Sequence, residues 1–171
     1  MLRIVVNEDE TMVTVYIHKA GGIEELHFNY LDELQIDRDN INECFIEQSG
    51  KYAWWGTIYE QAKADVEKAK AELEEAEAEA DEMVREQLEL EGMKVTEALV
   101  NRKIKTVGVY KEKLSLLLLC KRQLGILDKV LKAFEQRMEA LISIGANARK
   151  EFQSQDISIK QDIARRIING N

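Results

Sequence analysis

The chain runs for 171 residues without a single proline, where average usage would supply about eight. Each proline removes a backbone donor and kinks a helix. A chain free of them is open to rods far longer than those of an ordinary domain. The strongest periodicity agrees. Ala62, Val66, Ala69, Leu73, Ala76, Ala80 and Met83 recur at alternating spacings of 4 and 3, the seam of a coiled coil. Most of these are alanines, so a partner helix can come close.

Glu91-Gly92 breaks this first rod, and Thr96 opens a second. Val107, Tyr110, Leu114, Leu117, Cys120, Leu124, Leu127, Leu131, Phe134, Met138 and Leu141 follow at spacings of 3 or 4. The pattern predicts one helix over 96–152, about 85 Å long, antiparallel to the first. Gly145 or Asn147 is expected to loosen its end. A short amphipathic piece over 157–168 follows, with Ile159, Ile163 and Ile167 at spacing 4. Leu116, Leu118, Ile126, Val130 and Ile142 widen the apolar face beyond what one hairpin can cover, which predicts self-association.

Residues 1–30 read differently. Arg3–Val6 is β-branched, and Val13, Val15 and Ile17 alternate with Met12, Thr14 and Tyr16. Asn7–Thr11 is a polar turn. Gly21-Gly22 turns the chain into Leu26, Phe28 and Tyr30. A three-stranded meander of this size cannot stand alone and must pack on helices or on another copy. Asp39-Asn40 is expected to cap the next helix. Trp54 and Trp55 read as core anchors in preference to a base-stacking platform. The expected organisation is a small β-meander over 1–30, N-terminal helices with an acidic coiled-coil helix over 31–92, and a long basic helix with a C-terminal amphipathic helix over 93–171. The expected fold class is mainly α, a long antiparallel helical hairpin forming a homo-oligomer.

Charge divides the chain. The formal net charge of -8 is the sum of -16 over residues 1–100 and +8 over 101–171. Such asymmetry points to nucleic acid or membrane contact by one half, or to pairing of the halves with each other. Ten acids against Arg85 alone crowd 72–91. Twelve cations lie downstream: Arg102, Lys103, Lys105, Lys111, Lys113, Lys121, Arg122, Lys129, Lys132, Arg137, Arg149 and Lys150. With Leu124, Leu127 and Leu131 in the seam, Lys121, Arg122, Lys129 and Lys132 fall on the opposite face. Arg102, Lys105 and Lys113 fall nearer the seam. Contacts through such groups would go to the phosphate backbone and weaken steeply with salt.

No catalytic constellation is recognisable. Gly21-Gly22 lacks the lysine and helix of a phosphate loop, and the acidic pairs lie on solvated helix faces rather than in a pocket. His18 and His27 with Glu24 or Glu25 make a poor candidate metal site. No metal and no cofactor are expected. Cys44 and Cys120 are far apart, which excludes a disulfide scaffold and a thiolate zinc site. The longest apolar run, Leu116–Cys120, is too short to span a bilayer, and the N-terminus has no apolar core of a signal peptide. These features predict a cytoplasmic protein with no membrane partner.

The segment FEQRMEALISIGANARKEF (134–152) resembles the C-terminal signature of the UvsY-type phage recombination mediators, with Arg137, Leu141-Ile142, Gly145-Ala146 and Arg149 at the matching positions. VTEALVNRKIKT (95–106) is similar to the start of that family's second long helix, and the stretch from Asp32 through Ala69 to its N-terminal helices. The resemblance implies a non-enzymatic accessory of DNA recombination and repair that forms a ring of about six to eight subunits. It implies binding of single-stranded DNA, contact with a single-strand-binding protein and with a RecA-like recombinase, and loading of the recombinase onto covered strands. For a phage-encoded chain this would occur in the host-cell cytoplasm. The meander lies outside the resemblance. The family's basic stretch near the end of the first long helix is here MVREQLEL (83–90), with Arg85 as its one cation, which moves the expected DNA contact to the second helix. The competing reading is a structural coiled-coil scaffold or adaptor of a phage that binds no DNA.

Overall fold

The computed structural model describes residues 2–6, 12–19 and 22–168. Three antiparallel strands, β1 (Leu2–Val6), β2 (Met12–Lys19) and β3 (Gly22–Asn29), form a sheet in the order β1-β2-β3. Val6 pairs with Val13 and Leu2 with Ile17; Val13 pairs with Phe28 and Val15 with Leu26. The expected turn at Asn7–Thr11 and the residue Gly21 lie outside the described residues. So do the side chains of Ile17, His18, Arg166 and Ile167.

The sheet feeds a short helix, α1 (Tyr30–Leu34), capped by the Asn29 side chain. Asp37 then accepts from the Asp39 N–H and the Asn40 side chain. Asn40 occupies the N-cap of the next helix but makes no side-chain cap hydrogen bond. That helix, α2 (Ile41–Leu90), runs unbroken for 50 residues, about 75 Å. The helix expected to follow the Asp39-Asn40 cap is therefore the first part of the coiled-coil rod.

At the far end α2 stops on Gly92, whose φ of +65° suits a residue without Cβ. The Met93 N–H bonds the Leu88 carbonyl and the Gly92 N–H bonds that of Glu89, a Schellman closure. The chain then departs from the expected single second rod. A short α3 (Glu97–Ile104) precedes α4 (Gly108–Ile168). Between them the Thr106 hydroxyl and N–H both take the Lys103 carbonyl, and the Val107 N–H takes that of Ile104. A hydroxyl that competes for backbone bonds, followed by a β-branched residue and a glycine, favours a turn over continued helix. The break folds Val100 and Ile104 back onto Ala80, Val84 and Leu88, sealing the tip.

From Gly108, α4 continues for 61 residues, about 90 Å. Neither Gly145 nor Asn147 interrupts it, and the expected separate piece over 157–168 is its last three turns or so. Gly145 instead permits close packing, since a Cβ there would lie 3.1 Å from the Phe45 ring. With Phe45 opposite Gly145 in an antiparallel pair, α2 begins opposite residue 149 or so. The rest of α4 projects past it, and residues 151–161 are all exposed.

Two seams hold the hairpin. Near the sheet, Val13 and Val15 pack on Trp55, Ile58, Ala62, Leu127, Val130 and Phe134. Trp55 is buried, and Trp54 sits half-buried with its ring centroid 4.3 Å from that of Phe28. Both tryptophans thus anchor the sheet to the hairpin. Further out the seam thins to Val66, Ala69 and Leu117. Met83 and Met138, expected inside, are 51% and 39% exposed, and Val84 and Arg137 take their places. Spacings of four from Ala76 through Ala80, Val84 and Leu88 show how the seam of a nearly straight helix drifts off the heptad.

Candidate nucleic-acid interface

The twelve downstream cations do not share one environment. Arg137 is 5% exposed. Its guanidinium donates to the backbone carbonyls of Gln35 and Cys44 and to the Gln48 side-chain oxygen. Gln48 in turn donates to the Phe134 carbonyl at 2.8 Å. A fork of five donors suits this task, because the acceptors come from the α1–α2 connection and from α2 at once. Arg137 is therefore a buried tie rather than a surface contact. Its expected role in strand binding is corrected accordingly.

Lys113 lies half-buried in the seam and donates to Glu72 across the hairpin at 2.9 Å. This pairing holds the Glu72 carboxyl below its ordinary value and the Lys113 ammonium above its own. Lys103 reaches Glu91 at 3.5 Å across the tip. Among the described residues these two are the downstream lysines that pair with upstream carboxylates. Lys129 and Lys132 both lie on Asp128 of their own helix, at 3.5 and 2.8 Å. All of these pairs are partly or largely exposed and individually weak.

The remaining cations face solvent. Lys111, Lys121, Arg122, Arg149 and Lys150 are exposed on α4. Arg122 has a partner of its own. Arg102 on α3 and Lys105 just beyond it are exposed as well. The break at 105–107 takes them out of the α4 register, which is why they do not fall on the seam side. Lys121, Arg122, Lys129 and Lys132 stand opposite Leu127, Val130 and Phe134, as the 100° step requires. Six of the twelve candidates therefore have no ion pair among the described residues: Arg102, Lys105, Lys111, Lys121, Arg149 and Lys150. From Lys111 to Lys150 the outward face of α4 extends about 58 Å.

On the opposite arm, Glu74, Glu75, Glu77, Glu79, Glu82, Glu86 and Glu89 remain exposed, which repels a polyanion from the outer half of α2. Arg85 is held there by Asp81 and Glu97, at 2.6 and 2.9 Å. The two charge fields sit on different helices, and few contacts cross between them.

Among the described residues no group of three or more His, Cys, Asp and Glu is placed to hold a metal ion. His27 is exposed and hydrogen-bonds Thr14. Cys44 and Cys120 are free thiols, and partial burial pushes the Cys120 thiol up. No described helix is long and apolar enough to cross a membrane. No protein-family model, curated protein or solved structure matches this chain.

Proposed function

We propose that the protein is a non-enzymatic mediator of DNA recombination that self-associates into a ring and binds single-stranded DNA along the outward face of α4. In this reading it helps a RecA-like recombinase replace single-strand-binding protein on the strand. The observation that carries it is the standing of Lys111, Lys121, Arg149 and Lys150. They are exposed on one continuous helix and outside the ion pairs of the described residues. Had the acidic arm quenched the basic one, Lys111 and Lys121 would lie against α2; Arg149 and Lys150 stand at or beyond its start. One subunit offers few phosphate contacts, and a ring multiplies them, so long strands gain far more than short ones. The energy for exchanging one DNA-bound protein for another comes from differential binding or from the recombinase's own nucleotide cycle.

Light scattering for subunit number, paired with anisotropy of a labelled single strand at two salt concentrations, tests the reading. An assembly that retains the strand at low salt and releases it at high salt is expected. No retention at low salt overturns it. The pairs Lys103–Glu91, Lys113–Glu72 and Lys132–Asp128 favour a second reading, a coiled-coil scaffold whose lysines serve only the fold. That reading predicts an assembly with no affinity for the strand.

A further inference from the structure

We infer that Lys129 and Lys132 form a two-ammonium clamp for one phosphate of the single strand, and that Asp128 occupies this clamp in the free protein. The inference rests on the strand binding proposed above and names a regulated subsite within it. Both ammoniums converge on one carboxylate oxygen, Asp128 Oδ2, at 3.5 Å from Lys129 and 2.8 Å from Lys132. An oxygen held between two ammoniums is also the contact that a phosphodiester oxygen makes with lysines. The three residues lie within about one turn of α4, and an acid four positions before a lysine is the favoured order for a helical pair. The hydrogen bond from Lys132 holds the Asp128 carboxyl below its ordinary value and the ammonium above its own.

The place of the clamp gives it a use. At 100° per residue, Lys132 falls within about 20° of the line through Lys121 and Lys150. Without it, that row of cations has a gap of about 44 Å. Glu135, the next acid on this side of α4, is engaged by the Tyr52 hydroxyl at 3.0 Å.

The clamp is open to solvent. The side chains of Lys129 and Lys132 are 76% and 57% exposed, against 35% for Asp128. Exposed pairs of this kind are weak, so a strand anchored by the neighbouring cations displaces the carboxylate without disturbing the helix. With Asp128 in place, two positive charges and one negative offer the strand the charge of a single cation. Asp128 is thus an internal counter-ion that lowers affinity and eases release of the strand to a competing protein.

Anisotropy of a short labelled single strand at 50–200 mM salt tests this, with circular dichroism to confirm retained helix. Asp128→Asn should bind more tightly at low salt, with a slope steeper by about 0.7 per subunit engaged, a roughly 2.5-fold greater loss across that range. Glu139→Gln makes the same change of charge on an exposed residue of the same helix that has no cation at 135, 136, 142 or 143, and its slope should not move. Nor should Asp128→Asn steepen the slope once Lys129 and Lys132 are both Gln. An Asp128→Asn variant that binds as wild type does, or more weakly, overturns the clamp and leaves strand binding in place. So does an equal gain in Glu139→Gln, or a gain that survives loss of both lysines. A strand that no variant retains at low salt overturns the clamp and the strand surface together.

Discussion

Replacing Lys111, Lys121, Arg149 and Lys150 by Gln removes four α4 cations that have no ion pair among the described residues. For single strands, log affinity falls with log salt at about 0.7 per phosphate neutralised. Four contacts per subunit account for a slope of about −2.8. Between 50 and 200 mM salt they account for a roughly 50-fold loss of affinity. The quadruple variant should therefore bind more weakly at low salt and show a slope shallower by about 2.8 per subunit engaged. Anisotropy titrations at four salt concentrations, with an oligonucleotide too short to bridge subunits, measure both quantities. Lys113→Gln is the control: its ammonium already serves Glu72, 2.9 Å away, so the slope should not move. A slope unchanged in the quadruple variant would refute α4 as the strand surface. An equal change in Lys113→Gln would show that exposure and pairing do not sort these residues.

Three further outcomes follow from the packing. Arg137→Met strands the carbonyls of Gln35 and Cys44 and the Gln48 amide. It should cost about 2–4 kcal/mol in urea unfolding, and Arg137→Lys should fail to restore the wild-type midpoint. Gly125→Ala meets open space and should raise stability by about 0.5–1 kcal/mol, whereas Gly145→Ala sets a methyl 3.1 Å from Phe45 and should fall short of that gain; equal gains in thermal melts would contradict the close packing. The Glu72–Lys113 pair should strengthen the hairpin in full above pH 4.5 and below pH 10.5, fading as acid passes the lowered Glu72 value or base the raised Lys113 value. Urea midpoints of wild type and Lys113→Gln should accordingly converge at low pH, and a gap that persists there would refute the pairing.

Much of this architecture is legible in the residues because it rests on period. The strands at 12–17, the alanine seam and the stop at Gly92 follow from spacing and backbone freedom alone. The Lys121–Lys132 face follows from the 100° step. What escaped prediction involves competition between nearly equal signals. Leu127, Leu131, Phe134, Met138, Leu141 and Leu127, Val130, Phe134, Arg137, Leu141 are both heptad tracks. Hydropathy alone chooses the first, while the structure buries Val130 and Arg137. A buried guanidinium is affordable only because α1 ends where the Gln35 carbonyl can meet it, and that tertiary coincidence has no local signature. The break at 105–107 escaped for a similar reason: the apolar track continues across it, and only Thr106 and Gly108 mark it. The pairing of Lys113 with Glu72, 41 positions apart, depends on hairpin register, which the pattern narrows without deciding.

The uneven thickness of the hairpin has a mechanical consequence. Aromatic rings brace it beside the sheet, and the folded-back Val100 and Ile104 brace the tip. Between these braces stand mainly Val66, Ala69, Leu117 and their half-buried neighbours. Bending stiffness should dip at that waist, and amide protons from about Ala64 to Ala76 should exchange with solvent faster than those on either side. With such a joint the outer arm would swing as a unit, carrying its negative field toward or away from whatever lies along the neighbouring rod.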